Sequence, residues 1–231
     1  MKYRDILSGT FISRPNRFIA RVLIDEREET VHVKNTGRCR ELLQKGCTVY
    51  LERAVNPKRK TPFDLVAVEK NLEGGGTVLI NMDSQVVNDA AEEWLSRGCL
   101  FSANASIRRE YTYKKSRFDF YIEDGERKAF LEVKGVTLER DGQALFPDAP
   151  TERGAKHLSH LCDAVSEGYE AYVLFVIQMK GIKEFLPNEE TDKRFADALR
   201  VCKETGVRIL ASDCIVTPSS IEIDAPVPVK L

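Results

Sequence analysis

Residues 116–134 have the sequence SRFDFYIEDGERKAFLEVK, and this stretch decides the fold of the second half of the chain. Two apolar-rich runs flank Asp124-Gly125, a dipeptide typical of a β-hairpin turn because a type I′ turn needs positive φ at both central positions. A loop at 124–125, or a symmetric four-residue loop, pairs residues whose numbers sum to 249. In this register Arg117 lies opposite Glu132, and Asp119 is a diagonal neighbour of Glu132.

Side-chain alternation then assigns two faces to the hairpin. The predicted apolar face carries Phe118, Phe120, Ile122, Ala129, Leu131 and Val133. The other carries Arg117, Asp119, Tyr121, Lys128, Phe130, Glu132 and Lys134.

The second face predicts a metal-dependent catalytic site. The β-carbons of Asp119 and Glu132 are expected about 7 Å apart, so both carboxylates can bind one cation. Two carboxylates suit Mg²⁺ (or Mn²⁺), which keeps several waters and binds substrate phosphate. Lys134 can orient or deprotonate the attacking water. The alternative is a solvated face on which Lys134 merely pairs with Glu132.

The first eighty residues favour short strands, with one helical interruption. The predicted strands are 10–13, 17–25, 30–34, 47–53, 63–69 and 77–81. Asn35-Thr36 and Gly46 bracket a predicted short helix over 37–44, with Thr36 as its cap. Five or six strands with one short helix after the third predict a small closed barrel of OB type.

The pattern changes after Asn81. Apolar residues at helical spacing predict a helix over 84–97, and strands and helices then alternate, which is typical of an α/β domain with a mixed sheet. The predicted strands are 106–113, 116–123, 128–137, 171–178 and 207–211, and the later helices are 151–167 and 192–205. We therefore expect two domains, residues 1–82 and 83–231.

The near-zero net charge of −1 hides a basic region. Residues 31–60 contain 8 basic and 2 acidic side chains, the density expected of a surface that meets phosphates. The candidate nucleic-acid-binding residues are Lys34, Asn35, Arg38, Arg40, Lys58, Arg59 and Lys60, with Phe11, Phe18 or Tyr50 as stacking platforms if exposed. A solvated face is the alternative reading, and Asn35 has an equally good structural role.

Further candidates lie downstream, in FPDAPTERGAKHL at 146–158 and at Gln178. Arg153, Lys156 and His157 fall in the first turns of a helix, where backbone N–H groups also favour phosphate. An ordinary capped amphipathic helix explains them equally well. Gln178, at a strand end, either reaches a metal-bound water or substrate or is a surface residue.

Composition excludes several classes of protein. No window approaches the roughly 18 apolar residues of a membrane span, and the first ten residues lack the apolar core of a signal peptide, so we expect a cytoplasmic protein with no membrane partner. The six cysteines form no CxxC pair and no Cys/His cluster, which predicts reduced thiols rather than zinc.

The sequence resembles the sugar fermentation stimulation protein A (SfsA) family. The resemblance rests on runs in the same order along nearly the whole chain: HVKNTGR at 32–38, NPKRKT at 56–61, SRFDF at 116–120, LEVKGVTL at 131–138, FPDAPTERGAKHL and LFVIQ at 174–178. It implies an N-terminal OB-like domain, a C-terminal PD-(D/E)xK nuclease core, a prokaryotic origin and DNA binding without marked sequence preference. It also implies that Asp119, Glu132 and Lys134 are the metal and catalytic residues, although Phe118 replaces the proline of the motif.

Two readings follow. The first is a Mg²⁺-dependent phosphodiesterase acting on DNA, or on RNA. The second is a non-catalytic DNA-binding regulator of sugar (maltose) metabolism that retains the nuclease fold. A nucleotide or small-molecule enzyme on the same core fits the basic region less well. Arg117, opposite Glu132 in the predicted register, either steadies Glu132 or contacts substrate.

Overall fold

The computed structural model describes residues 1–35, 37–56, 58–72 and 75–231. The first half forms strands β1 (Ile6–Asn16), β2 (Ile19–Ile24), β3 (Arg27–Val33), β4 (Thr48–Arg53), β5 (Phe63–Asn71) and β6 (Thr77–Asn81). The first five pair in the order β3-β2-β1-β4-β5, and a parallel pairing of β3 with β5 closes the barrel. The predicted OB-like barrel is confirmed, with β6 added alongside β5.

Period-two alternation produces this barrel. In β2, Ala20, Val22 and Ile24 are buried in its core, whereas Arg21 and Leu23 between them face outward. This alternation matches the pleat, in which successive side chains point to opposite faces.

The helix predicted over 37–44 is wrong. Residues 40–42 and 45–46 are turns, and Cys39 has a φ of +44°. The backbone makes one helical hydrogen bond, from Leu43 N to Cys39 O at 3.0 Å, and no helix continues from it in the described residues 37–47. Cys39 and Leu42 are buried in the core. Thr36, the predicted cap, lies outside the described residues.

The second half is a mixed α+β domain, and its mixed sheet was predicted. Its elements are α1 (Val86–Ser96), β7 (Ser106–Tyr113), β8 (Ser116–Asp124), β9 (Arg127–Val136), β10 (Leu138–Arg140), β11 (Gln143–Phe146), α2 (Glu152–Ser166), β12 (Glu170–Ile177), β13 (Glu184–Pro187), α3 (Glu189–Thr205), β14 (Arg208–Thr217) and β15 (Ser220–Pro226). Six strands form a sheet in the order β15-β14-β12-β9-β8-β7, in which β9, β12 and β14 are parallel. A smaller sheet, β10-β11-β13, was not predicted, nor was β15.

Helices cover both faces of the six-stranded sheet. α1 packs on one face through residues such as Val87 and Ala91, beside Leu131 and Leu174. α2 and α3 cover the other face. No described helix is long and apolar enough to cross a membrane.

The register of the β8–β9 hairpin differs from the prediction by two residues. Asp124 pairs with Arg127 and Tyr121 pairs with Phe130, so the turn is Gly125-Glu126 and not Asp124-Gly125. A shift of two leaves the side chains of the paired residues, 120–124 and 127–131, on their predicted faces. It moves Glu132, however, from Arg117 to the place opposite Asp119.

The strand pairing is interrupted on both sides of Asp119. The β8–β9 ladder stops at Phe120–Leu131, and the β7–β8 ladder skips Glu110 and Asp119 between its neighbouring pairs. The predicted alternation fails here. Phe118 does not lie with Phe120: its ring packs against Phe130, with centroids 5.1 Å apart.

Buried polar contacts join the barrel to the second sheet. Nε2 of Gln178 donates to Asn81 O and Oδ1 and to Asp83 O at 3.0–3.1 Å. The Lys34 ammonium donates to Asp83 at 3.0 Å. The amide N of Ser84 donates to Lys34 O at 3.2 Å, which places the barrel beside the start of α1.

Candidate metal centre

A cavity of about 220 Å³ lies where the sheet opens at Asp119. Its walls come from α1, β7, β8, β9 and α2. Six residues predicted from the sequence line it: Arg117, Asp119, Glu132, Lys134, Arg153 and His157. Ser84, Asn88 and Glu110 line it as well and were not predicted.

Glu132, on β9, is 2% exposed, so its face of the hairpin is not solvated. Its Oε1 contacts Lys134 Nζ and His157 Nδ1. Burial favours the neutral carboxyl, but the hydrogen bond from His157 and the charge of Lys134 outweigh burial and hold the pKa of Glu132 below its ordinary value. Glu132 is therefore an ionised carboxylate in the core.

His157 orients Glu132 from α2. Its ring is buried, and its Nε2 accepts a hydrogen bond from Arg153 Nε at 3.4 Å. Because Nε2 accepts, Nδ1 is the ring nitrogen that donates to Glu132.

Asp119 is held by neutral donors. Its Oδ1 accepts from Asn88 Nδ2 at 2.9 Å, and its Oδ2 accepts from the backbone N–H of Val133 at 2.7 Å. Burial, followed by the charge of Glu132, raises the pKa of Asp119. Neighbouring anions behave in this way when no cation lies between them.

The second oxygen of Glu132 has no partner. Oε2 is buried, and no described residue donates a hydrogen bond to it. A buried carboxylate oxygen without a donor is costly, so this atom is suited to bind a cation. No three His, Cys, Asp or Glu side chains in the described residues are close enough to hold a metal alone. The donor set fits Mg²⁺ or Mn²⁺, which completes its shell with water and phosphate oxygens.

Three predicted site residues, Arg117, Lys156 and Gln178, differ from the prediction in their contacts or in their exposure. Arg117 does not face Glu132: its Nε lies 2.6 Å from Glu110 Oε2, although its side chain does line the cavity. Lys156 is exposed on α2 and is not among the cavity residues. Gln178 is 1% exposed, so it is neither a surface residue nor part of the cavity wall.

Part of the predicted basic surface is engaged inside the protein. Arg59 binds Asp64 through two hydrogen bonds of 2.7 and 2.9 Å. Lys34 lies between Asp64 and Asp83, at 3.5 and 3.0 Å. Asn35 is buried, and its Oδ1 accepts from Gly37 N at 2.8 Å, which agrees with its structural alternative.

The other predicted cations remain at the surface. Arg38, Arg40, Lys58 and Lys60 are exposed, and within the described ranges no carboxylate lies within ion-pair distance of them. Of the three aromatic candidates, Phe18 is 49% exposed, with the Arg17 guanidinium 5.4 Å from its ring centroid. Phe11 is buried, and Tyr50 is half-buried and donates to Glu69.

Loop residues of the two halves also meet at Gly37 and Asp148. A β-carbon on Gly37 would lie 2.1 Å from Oδ2 of Asp148, the residue three before the α2 cap Thr151. A larger residue at position 37 would have to displace this carboxylate, and the approach connects two of the sequence runs that carried the family resemblance.

Comparison with known proteins agrees with this architecture. Residues 12–80 match the family model described as the SfsA N-terminal OB domain, and residues 85–220 match the Sugar fermentation stimulation protein RE domain. The chain belongs to the sugar fermentation stimulation protein family. A relative from Desulfitobacterium hafniense (strain DSM 10664 / DCB-2), called Sugar fermentation stimulation protein homolog, is 58% identical over 100% of this chain and 99% of its own. One from Ruminiclostridium cellulolyticum is 54% identical over 100% of both chains.

A member of the SfsA family has also been solved. The structure of Pyrococcus furiosus SfsA in complex with Ca²⁺ superposes with a TM-score of 0.88 and 26% identity. It covers 100% of this chain and 98% of that one. The predicted family is confirmed, and so are the barrel and the mixed-sheet domain.

Proposed function

We propose that this SfsA-family protein is a Mg²⁺- or Mn²⁺-dependent phosphodiesterase that cleaves nucleic acid, with DNA as the expected substrate. The observation that carries the proposal is the unpartnered, buried Oε2 of Glu132 in a cavity that also holds Asp119 and Lys134. The solved Pyrococcus furiosus relative is described as a complex with Ca²⁺, which supports a divalent-cation site in the family.

Asp119 and Glu132 would hold the cation, which when bound would stabilise the charge on a phosphate and favour ionisation of a water. His157 and Lys134 keep Oε1 of Glu132 occupied, so that Oε2 remains for the cation. Lys134 lies two residues from Glu132 on the same face, where its ammonium can orient a water. Arg117 and Arg153 supply guanidinium groups at the cavity for phosphate oxygens.

DNA binding forms the second part of the proposal. Arg38, Arg40, Lys58 and Lys60 are exposed, and Arg38 and Arg40 follow Lys34, whose carbonyl accepts from Ser84 N just before α1. Such cations bind the phosphate backbone without reading sequence, and their affinity falls steeply with salt.

A regulator that binds DNA without cleaving it is the second candidate. The relatives' printed name, which refers to stimulation of sugar fermentation, favours it. Both candidates need the exposed cations, and only the phosphodiesterase needs the carboxylates of the cavity.

The test compares wild type with Glu132→Gln on labelled single-stranded, duplex and branched DNA and RNA in EDTA, Ca²⁺, Mg²⁺ or Mn²⁺. The matched control is Glu123→Gln, on the same hairpin but paired with Arg108 outside the cavity. We expect cleavage by wild type and the control with Mg²⁺ or Mn²⁺, and none by Glu132→Gln. Binding without cleavage in every lane would favour the regulator, whereas equal cleavage by Glu132→Gln would place the reaction elsewhere.

A further inference from the structure

A third carboxylate, Glu110, lies at the cavity and has no role in the function proposed above. It lies on β7, the strand that pairs with β8, and β8 carries Asp119. Glu110 lines the same cavity as Asp119 and Glu132. The pairs Arg109–Phe120 and Tyr111–Phe118 flank it, so it stands across from Asp119 at the point where the ladder is broken.

The backbone of Glu110 is strained. Its φ is +55°, a left-handed conformation that is unfavourable for a residue with a β-carbon. Strained residues of this kind concentrate at functional sites, where the rest of the fold holds them in place. An ordinary exposed strand residue gains nothing from this conformation.

The partner of Glu110 is easily replaced. Arg117 Nε lies 2.6 Å from its carboxylate, but the two side chains are 60% and 49% exposed. Exposed pairs contribute little because water screens them. A divalent cation has twice the charge of a guanidinium, so it can take the carboxylate from Arg117.

Asp119 can contribute to the same cation. Each of its oxygens accepts one hydrogen bond, from Asn88 or Val133, and a carboxylate has about four acceptor positions. No described cationic side chain is within ion-pair distance of it. The orphaned Oε2 of Glu132 in the same cavity is the independent sign that these carboxylates face a ligand.

We propose that Glu110 and Asp119 form a second, weaker divalent-cation position in this cavity, for which Arg117 is the resident competitor. No three metal-binding side chains are grouped among the described residues, so Glu110 must turn from Arg117 towards Asp119 before a cation can bind there. The inference rests on the proposed metal centre but concerns a different residue. Two cations in one site would bracket both the attacking and the leaving oxygen of a phosphodiester.

The experiment measures Mn²⁺ binding by calorimetry and by the EPR signal of free Mn²⁺, without nucleic acid. Wild type is expected to bind two Mn²⁺, one tightly and one weakly. Glu110→Gln should lose the weak ion and keep the tight one. Arg117→Gln should bind the weak ion about two- to fivefold more tightly, because the competing guanidinium is gone. Glu123→Gln is the control and should match wild type.

The outcomes separate this inference from the proposed function. One Mn²⁺ in wild type that Glu110→Gln leaves unchanged would overturn the second position while the first stands. Binding that Glu132→Gln leaves unchanged would overturn the metal centre itself. If Glu110→Gln does not fold, as judged by its thermal melt, Arg117→Gln decides: weaker or unchanged binding of the second ion rejects the inference.

Discussion

Oδ2 of Asp119 accepts the backbone N–H of Val133 at 2.7 Å, in the place where a neighbouring strand would ordinarily supply a carbonyl oxygen. The carboxylate therefore substitutes for one rung of the β-ladder. This anchors Asp119 in the sheet without a cation and leaves its charge available at the cavity. The same break in pairing creates the opening that holds the proposed metal centre.

His157 is expected to act as a positioning residue. His157→Ala removes one of the two groups that occupy Oε1 of Glu132, so the carboxylate can rotate and lose its orientation towards the cavity. Residues that orient metal ligands typically change affinity or activity by 10–100-fold, and we expect about a tenfold loss in Mn²⁺ affinity. A Mn²⁺ titration measures it directly.

The control for this prediction is His160→Ala, one turn further along α2. His160 contacts Ser116 and is not among the cavity residues, so Mn²⁺ affinity should stay at the wild-type value. If His157→Ala also binds Mn²⁺ like wild type while remaining folded, the geometry of Glu132 does not depend on this histidine.

The exposed cations should govern the salt dependence of nucleic-acid binding. Arg38→Ala with Arg40→Ala removes two side chains that have no carboxylate partner among the described residues, so each should remove about one phosphate contact. We expect weaker binding and a salt slope lower by about 1 for each side chain. Fluorescence anisotropy between about 50 and 200 mM salt measures both.

Arg59→Ala provides the contrast within the same basic region. Arg59 is bound to Asp64, so its removal should lower the free energy of unfolding and change the salt slope little. A loss of slope equal to that of the double variant would show that Arg59 leaves Asp64 to bind phosphate.

Asp64 should make stability depend on acid pH. Burial opposes ionisation, but hydrogen bonds from Arg59 and His32 and the charge of Lys34 lower the pKa of Asp64 to about 2. Because the folded pKa lies below the unfolded value, the stabilisation is complete above pH 4 and is lost as pH falls from about 4 to 2. Its size is about 2 kcal/mol.

Urea unfolding of wild type and Asp64→Asn at pH 6 and pH 2.5 tests this prediction. The difference in unfolding free energy between the two proteins should be smaller at pH 2.5 than at pH 6, by most of the stabilisation of about 2 kcal/mol that ionised Asp64 provides. Asp163→Asn, at an exposed position on α2, is the control and should shift the midpoint little at either pH. An Asp64→Asn difference that stays constant between the two pH values would contradict the prediction.

The left-handed backbone at Glu110 predicts that a glycine variant is more stable than an alanine variant, the reverse of the usual order in a strand. Glu110→Gly should be about 1 kcal/mol more stable than Glu110→Ala, because glycine adopts positive φ without a steric cost. Thr112 is an exposed position on the same strand. There the alanine variant should be more stable to unfolding than the glycine variant, by about 0.5–1 kcal/mol. Chemical denaturation of the four variants measures both differences, and the same order at both sites would show that Glu110 is unstrained.

The β8–β9 hairpin shows which structural features the sequence predicts and which it does not. Side chains alternate between the two faces of a strand, so a register error of an even number of residues does not change the face. The two-residue error in the turn therefore left Asp119, Glu132 and Lys134 on one side. The barrel was predictable for the same reason, from alternation in its strands. Phe118 was misplaced because no local pattern reveals the break in pairing beside it.

Contacts between distant segments account for the other errors. Cys39 and Leu43 have helical spacing and form one helical hydrogen bond. Their side chains are buried in the core, and the backbone does not continue as a helix. Asn88 and Glu110 reach the cavity from α1 and β7, and an isolated polar residue in either element has no distinguishing signal in one sequence. Gln178 was misread because its acceptors, on Asn81 and Asp83, are nearly a hundred positions away.

The amide of Gln178 also bears on how this protein can be divided. A cut near residue 82, where the sequence changes character, would strip from Gln178 both acceptors on Asn81 and the donor at Asn81 N. In the severed half Gln178 Nε2 would keep only Asp83 O as an acceptor, and the backbone carbonyl of Gln178 would lose its donor. We therefore expect the fragment 83–231 to be less stable than the same residues in the whole chain, which makes the whole chain the better unit for engineering or domain exchange.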